Sequence, residues 1–172
     1  MDKPTKDQCE FFIDRTAKHI SLVEKYAKLI GEKNPDINDE LLQKAIDHDS
    51  SKYCSDEELI PYVFLTDFHR YKGDKDKMDD ELKELTDKAC LHHFEVNPHH
   101  PKYFKPENYE RGEKFTPDGM GKIDIAEMCA DWLAMGEELG NSAVDWYDSV
   151  KETKYDFTDE QDKLITEILN VA

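Results

Sequence analysis

His48 and Asp49 stand side by side in the stretch Ala45-Ile46-Asp47-His48-Asp49-Ser50-Ser51-Lys52, which carries a lysine three residues beyond the pair. An imidazole nitrogen and a carboxylate oxygen can share one cation along their common edge, and the Lys52 ammonium then meets an anion held on that cation. Neighbours on a helix point about 100° apart, so the two are poorly placed to satisfy each other in a core. Taken alone, the three residues read more readily as the surface end of a helix. The other histidines shift that balance. All seven lie between residues 19 and 100, and His92, His93, His99 and His100 fall within nine positions. Imidazole is the commonest metal ligand near neutral pH. In chain order the candidate ligands are His19, His48, Asp49, His92, His93 and Asp131, with Glu127 the rival of Asp131. Such a mixed set favours Mn, Fe, Co, Ni or Zn, as one ion or two, over the all-oxygen sites of Ca and Mg. His99 and His100 sit in a turn, where substrate contact, ligation and plain loop structure are all open; His69 reads as structural.

These residues need helices to position them. Phe12, Thr16, Ile20, Val23, Ala27 and Ile30 recur at helical spacing, which predicts a first helix over about 5–30, stopped by Gly31, with His19 on the flank of the stripe. A second helix from about Asn38 through Leu41, Leu42, Ala45 and Ile46 delivers His48-Asp49 at its end. Ser55-Asp56-Glu57-Glu58 has the form of a capping box and starts a third helix, which carries His69 and ends near Gly73. The charged stretch Asp74 to Glu81 reads as the solvated start of a fourth, with Leu82, Leu85, Ala89 and His92 on its inner face; the spacing turns at least one of His92 and His93 inward. Two prolines then break the helix. Residues 97–122 read as a long irregular connection, the kind of loop that is usually functional. A fifth helix follows over Lys122 to Leu139, with Asp124, Glu127 and Asp131 along one edge as either a solvated flank or support for a metal. Ser142 to Val150 supplies Trp146 and Tyr147 for packing, and Thr158 to Val171 closes the chain as a helix. No strand pattern and no internal repeat stands out. The expected fold is all-α, a bundle of about five to seven helices, in a single domain over 1–172.

Composition narrows the partners. A formal charge of −17 repels nucleic-acid backbones and anionic membranes, so neither a polymeric nucleic acid nor a membrane is expected. Lys102, Lys105, Arg111, Lys114 and Lys122 make the 97–122 connection the most basic segment, which suits a small anionic substrate as well as it suits ordinary solubilising charge. Four scattered cysteines without a Cys-x-x-Cys pair read as reduced thiols, and the N-terminal stretch lacks an apolar signal core, so a cytoplasmic setting is expected. A homodimer is left open.

Helical His, then His-Asp-x-x-Lys, then later histidines, then a distant Asp resembles the HD-domain metal-dependent phosphohydrolases. The wider wording resembles a family of short HD-like proteins of bacteria and phages. Its matching phrases are His48-Asp49-Ser50-Ser51-Lys52-Tyr53, Leu91-His92-His93 with Asn97-Pro98-His99-His100, and Ile125-Ala126-Glu127-Met128-Cys129-Ala130-Asp131-Trp132-Leu133-Ala134-Met135-Gly136. The resemblance spans about residues 15–147 and implies an HD-like helical bundle. It implies that His19, His48, Asp49 and Asp131 form the minimal metal shell, His92 or His93 the added ligands of binuclear members, and Lys52 the phosphate-facing lysine. Serines stand where the cyclic-dinucleotide members carry a hydrophobic residue, no glycine precedes Lys52, and the tripeptide that reads guanine is missing, so cyclic di-GMP is not the implied substrate.

The expected function is a metal-dependent phosphohydrolase acting on a nucleotide or related small phosphate ester. Asp49, Lys52, His99 and His100 are the expected catalytic residues, and Lys52, Lys102, Lys105 and Arg111 the expected substrate contacts. The alternatives are an HD-type di-iron oxygenase, for which neighbouring His pairs could supply two irons, and a non-catalytic module that binds a nucleotide or a protein. The setting is the cytoplasm of a bacterium, or of the host cell if the protein is phage-encoded.

Overall fold

Steps of three and four residues along the first helix, α1 (Lys6–Lys33), bury Phe12, Thr16, His19, Val23, Ala27 and Ile30. His19 takes the inward position and Ile20 is half-buried beside it. The stripe fits either residue by spacing, and the structure selects the imidazole. The computed structural model describes residues 3–71 and 78–170. They form seven α-helices, with two short 3-10 turns at Ser50–Tyr53 and Pro101–Phe104 and no strand among the described residues. The protein is all-helical. None of the described helices is long and apolar enough to cross a membrane.

The described residues divide into two compact units, Met1–Lys18 with Asp49–Val96, and His19–His48 with Asn97–Ala172. The first unit holds the start of α1, the turn Ser50–Tyr53, α3 (Asp56–Arg70) and α4 (Asp80–Val96). Phe12, Tyr62, Val63 and Ala89 form its core. α3 begins where the spacing places it, yet Ser55 makes no side-chain cap and the Glu58 carboxylate stands beside His92 instead, 3.0 Å from its Nδ1. The capping box is therefore not formed. α4 is capped by Asp79, whose side chain accepts from Glu81 N at 3.0 Å and Leu82 N at 3.4 Å. The inner face of α4 is Thr86, Ala89 and His93, one step round from the Leu82, Leu85 and His92 of the sequence reading. Gly73 and residues 74–77 lie outside the described residues, as does Val171.

The second unit is built round α5 (Lys122–Leu139), which packs on α2 (Asn38–Ile46), α6 (Ala143–Thr153) and α7 (Asp159–Leu169). Six successive α5 residues, Ile125 to Ala130, are buried, so this helix is enclosed on all sides at its N-terminal half. Alanines at 126, 130 and 134 let the neighbouring helices approach. α5 starts and stops where the sequence places it, with Gly140 closing it at φ 72°. α1 does not stop at Gly31. That residue lies inside the helix, where a Cβ would overlap the Asn38 side chain at the start of α2. α7 is opened by a capping box between Thr158 and Gln161. Tyr147 is buried, while Trp146 is exposed under the Lys154 ammonium rather than packed inward. The C-terminal half of the 97–122 connection is pinned in place. Phe115 pairs its backbone with 154–156, and Gln161 Nε2 donates to the carbonyls of Pro117 and Met120, both at 3.1 Å.

Gly136 decides how α5 ends. A Cβ there would stand 2.8 Å from the carbonyl oxygen of Asn141, and the Asn141 N–H already bonds the Gly136 carbonyl at 2.9 Å. Gly136→Ala gains roughly 1 kcal/mol of helix propensity but forces backbone apart at a cost of about 1–3 kcal/mol. The expected net result is a lower unfolding midpoint in urea. An unchanged or raised midpoint would show that the α5–α6 turn yields freely.

Candidate functional site

α5 presents Glu127, Asp131 and Glu138 toward imidazoles of the second unit. Asp131 Oδ1 lies 3.1 Å from His19 Nε2 and 3.8 Å from His48 Nε2. On the far side of each ring stands a glutamate: Glu138 Oε2 lies 3.5 Å from His19 Nδ1, and Glu127 Oε1 3.2 Å from His48 Nδ1. Glu127 Oε1 also faces His99 Nδ1 at 3.1 Å. Its other oxygen accepts from Lys44 at 3.3 Å, and Lys44 bonds Asp124 at 3.2 Å. The rings of His48 and His99 are 4.3 Å apart, and those of His99 and His100 4.1 Å apart. His19, His48, His99 and Glu127 are each less than 5% exposed.

Local backbone explains how three imidazoles arrive there. His19 comes from the buried stripe of α1. His48 is not on a helix: α2 ends at Ile46, Asp47 caps it, and Gln43 Nε2 holds the Asp47 carboxylate at 2.9 Å. His99 follows Asn97-Pro98 in a turn closed by His100 N donating to Asn97 O at 3.0 Å, and Pro101 then opens the 3-10 turn. The group His19, His48 and Asp131 offers one ligand atom each, all within 4.8 Å of one another, and so does the group His48, His99 and Glu127.

Burial alone would raise the carboxyl pKa of Glu127 and of Asp131. For Glu127 the hydrogen bonds from His48 and His99 and the Lys44 charge more than offset it, and the group is held well below the usual carboxylate range. For Asp131 the His19 bond and the nearby His48 and His99 do the same. Both are therefore ionised acceptors at neutral pH. Buried carboxylates need positive charge close by, which protons on the imidazoles or a metal cation would supply.

Asp49, the residue after His48, belongs by its partners to the first unit. Its Oδ2 accepts from Lys52 at 2.5 Å and its Oδ1 lies 3.2 Å from His93 Nε2, while His93 Nδ1 is 2.7 Å from Ser51 Oγ. Asp49 and His93 are buried, and the Lys52 ammonium sits 5.3 Å from the Tyr62 ring centre. Asp49 adopts φ 63°, the one positive φ outside glycine among the described residues. A left-handed residue with a Cβ costs about 1–2 kcal/mol, and such strain persists where the surroundings over-determine it. Here the bonds to Lys52 and His93 do so.

The remaining sequence candidates are placed as follows. The His92 side chain is 44% exposed and faces Glu58, away from the inward-facing His93 beside it. His69 is exposed. Lys102 and Lys105 are half-buried at and just after the 3-10 turn, and Arg111 is exposed. Lys114 pairs with Asp156 at 2.6 Å and Lys122 with Asp36 at 2.9 Å, so these two cations serve neighbouring aspartates. Three participants escape the sequence reading. Glu138 lies seven residues after Asp131, close to two helical turns, a spacing that continues the acidic edge; Lys44 lies four before His48; Ser51 is legible only once His93 is placed.

Fold and site together define an all-helical protein with a buried histidine–carboxylate cluster. The chain belongs to a family of unknown function, DUF5662, whose model matches residues 8–171. No curated protein and no solved structure matches it.

Two outcomes are expected. Because the folded-state pKa values of Glu127 and Asp131 are depressed, their stabilising effect is complete above the ordinary values of 4.5 and 3.8 and is lost as pH falls below them. The thermal midpoint of metal-free protein should therefore drop on acidification from about pH 5, and drop less steeply in Asp131→Asn; equal slopes would contradict the assignment. In the first unit, Asp49→Gly should be more stable than Asp49→Ala by about 1–2 kcal/mol, since both lose the carboxylate and only glycine relieves the backbone. Equal denaturation midpoints would mean that no strain is stored at Asp49.

Proposed function

We propose that this protein is a metal-dependent phosphohydrolase of the HD kind that its sequence resembles, acting on a nucleotide or related small phosphate ester. The observation that carries this reading is the pair of Nε2 atoms, from His19 and His48, converging on one oxygen of Asp131 while glutamates face both Nδ1 atoms. Ionised carboxylates can only accept hydrogen bonds. With the His48 proton drawn to Nδ1 by Glu127, the His48 Nε2 lone pair faces a carboxylate oxygen, and a divalent cation held with His19 and Asp131 would resolve that opposition. The donors, two imidazole nitrogens and a carboxylate oxygen, fit a transition metal such as Mn, Fe, Co, Ni or Zn.

His19, His48 and Asp131 would hold the ion. When bound, it would polarise a phosphoryl oxygen and acidify water, the two contributions that metal-assisted hydrolysis needs. The chain's own groups would do the rest. His99, buried and anchored at Nδ1 by Glu127, would take up a proton at its Nε2 and pass it to the departing ester oxygen, with His100 beside it as the second candidate. Lys102, Lys105 and Arg111 follow within twelve residues and would draw the anion against an unfavourable net field.

Metal content per chain, measured by elemental mass spectrometry on untagged protein incubated with Mn or Fe, tests the first half. About one or two ions per chain are expected, and Asp131→Asn should lose them. Phosphate release from a panel of nucleotides and phosphate esters tests the second, with Asp131→Asn expected to fall by at least about 100-fold. A folded Asp131→Asn protein that keeps metal and full turnover overturns the reading. The overlapping donor group of His48, His99 and Glu127 gives the di-iron oxygenase a foothold; oxygen uptake by the iron-loaded protein without phosphate release would favour it.

A further inference from the structure

Glu127 is the most heavily engaged side chain of the second unit. One of its oxygens, Oε1, stands 3.2 Å from His48 Nδ1 and 3.1 Å from His99 Nδ1, and the other takes the Lys44 ammonium at 3.3 Å. The residue is 4% exposed and sits among six consecutive buried residues of α5. A carboxylate with this set of donors has little capacity left to bind a cation. The lysine against it would also repel one. Glu127 nevertheless meets the distance criterion for a ligand with His48 and His99, so its role has to be decided.

We propose that Glu127 is a positioning residue that holds two imidazoles at once. By accepting Nδ1–H from both His48 and His99 it sets both rings in one tautomer and leaves each Nε2 as the bare nitrogen. Two bonds on a single oxygen also fix the two rings, whose centres lie 4.3 Å apart and whose planes are tilted by 35°. His48 Nε2 is then the atom turned to Asp131. His99 Nε2 is the atom available for proton transfer. Lys44, tied to both Asp124 and Glu127, keeps the carboxylate from rotating away. A carboxylate behind a ligating histidine orients the ring and raises its basicity; here one carboxylate does so for the metal-facing ring and for the ring proposed as proton carrier. The functional part rests on the phosphohydrolase reading, whereas the tautomer part stands on geometry alone.

Ring-nitrogen NMR of metal-free protein labelled with 15N-histidine at pH 8 tests it directly. Two rings with protonated Nδ1 and bare Nε2, assigned to His48 and His99 by their loss in His48→Gln and His99→Gln, are expected, and both should change in Glu127→Gln. A bare Nδ1 on either ring in the wild type overturns the proposal, and that measurement needs no variant of Glu127 to fold. Titration with Co(II) should show affinity weakened about 10- to 100-fold in Glu127→Gln, with the visible spectrum of the bound ion unchanged in shape. An unchanged affinity, or a spectrum showing a lost ligand, overturns it as well. A wild-type protein that binds no Co(II) or Mn(II) yet shows the expected tautomers would instead sink the phosphohydrolase reading and leave Glu127 as the orienting group of a buried histidine pair.

Discussion

Three carboxylates on one helix, two of them against buried imidazoles at 3.1–3.2 Å, are the constraint that the second unit is arranged to satisfy. An ionised carboxylate stripped of water costs several kcal/mol unless hydrogen bonds and opposite charge replace the lost hydration. α5 is so apolar over Ile125 to Ala130 that it must be enclosed, and Glu127 goes in with it. Everything around Glu127 answers that need: Lys44 from α2, His48 from the end of α2, and His99 from the turn before the 3-10 segment. A purely structural helix would carry an aliphatic residue at 127 and need none of these partners. Retaining the carboxylate is costly in stability, and that cost is the physical reason to look for chemistry there.

The first unit shows the same economy on a smaller scale. Asp49 lies in a left-handed backbone and is held from two sides, by an ammonium at 2.5 Å and an imidazole at 3.2 Å. Ser51 in turn fixes the other nitrogen of His93. Lys52, Asp49, His93 and Ser51 thus contact one another in sequence, so the carboxylate direction is determined by the turn and its neighbours rather than by solvent. The turn after α2 thus hands His48 to one unit and Asp49 to the other with a single peptide bond between them.

Much of this is legible in the chain, and what is not has identifiable causes. α5 begins and ends where the sequence places it, between Gly121 and Gly140, and α7 starts where expected because Thr158 and Gln161 complete a reciprocal cap, though it ends at Leu169. The all-helical class followed from apolar residues at steps of three and four. Local signals failed where a distant partner outbid the near one. Ser55 does not cap α3 through its side chain, and the Glu58 side chain faces His92 rather than the helix start; Gly31 does not end α1 because its missing Cβ admits Asn38; His48 and Asp49 leave the helix because Asp47 closes it one residue earlier. His19 was placed on the flank of a stripe whose spacing admits both 19 and 20, and periodicity alone cannot choose between adjacent positions. Of the cluster, His19, His48 and Asp131 are candidates in the sequence whose donor atoms the fold brings together. The pairing of Glu127 with two rings could not be read ahead, since it joins residues 79 and 28 positions apart.

An acidic chain that handles a phosphate ester has to solve a problem of field. With a net charge of −17 the surface would repel an anionic substrate, and surface cations act over only about 8 Å at physiological ionic strength. Two of the loop lysines, Lys114 and Lys122, are moreover spent on Asp156 and Asp36. Dispersed lysines are thus a weak remedy. A divalent ion in a buried cluster is a strong one, because the same charge acts at short range where water does not screen it. On the proposed reading, then, the acidity of the chain and the anionic substrate are reconciled by the metal: it would neutralise the carboxylates that folding has buried and supply the positive centre that the surface lacks. Metal loading and anion binding would accordingly be coupled, each strengthening the other, and neither the histidine cluster nor the lysine-bearing loop would suffice alone.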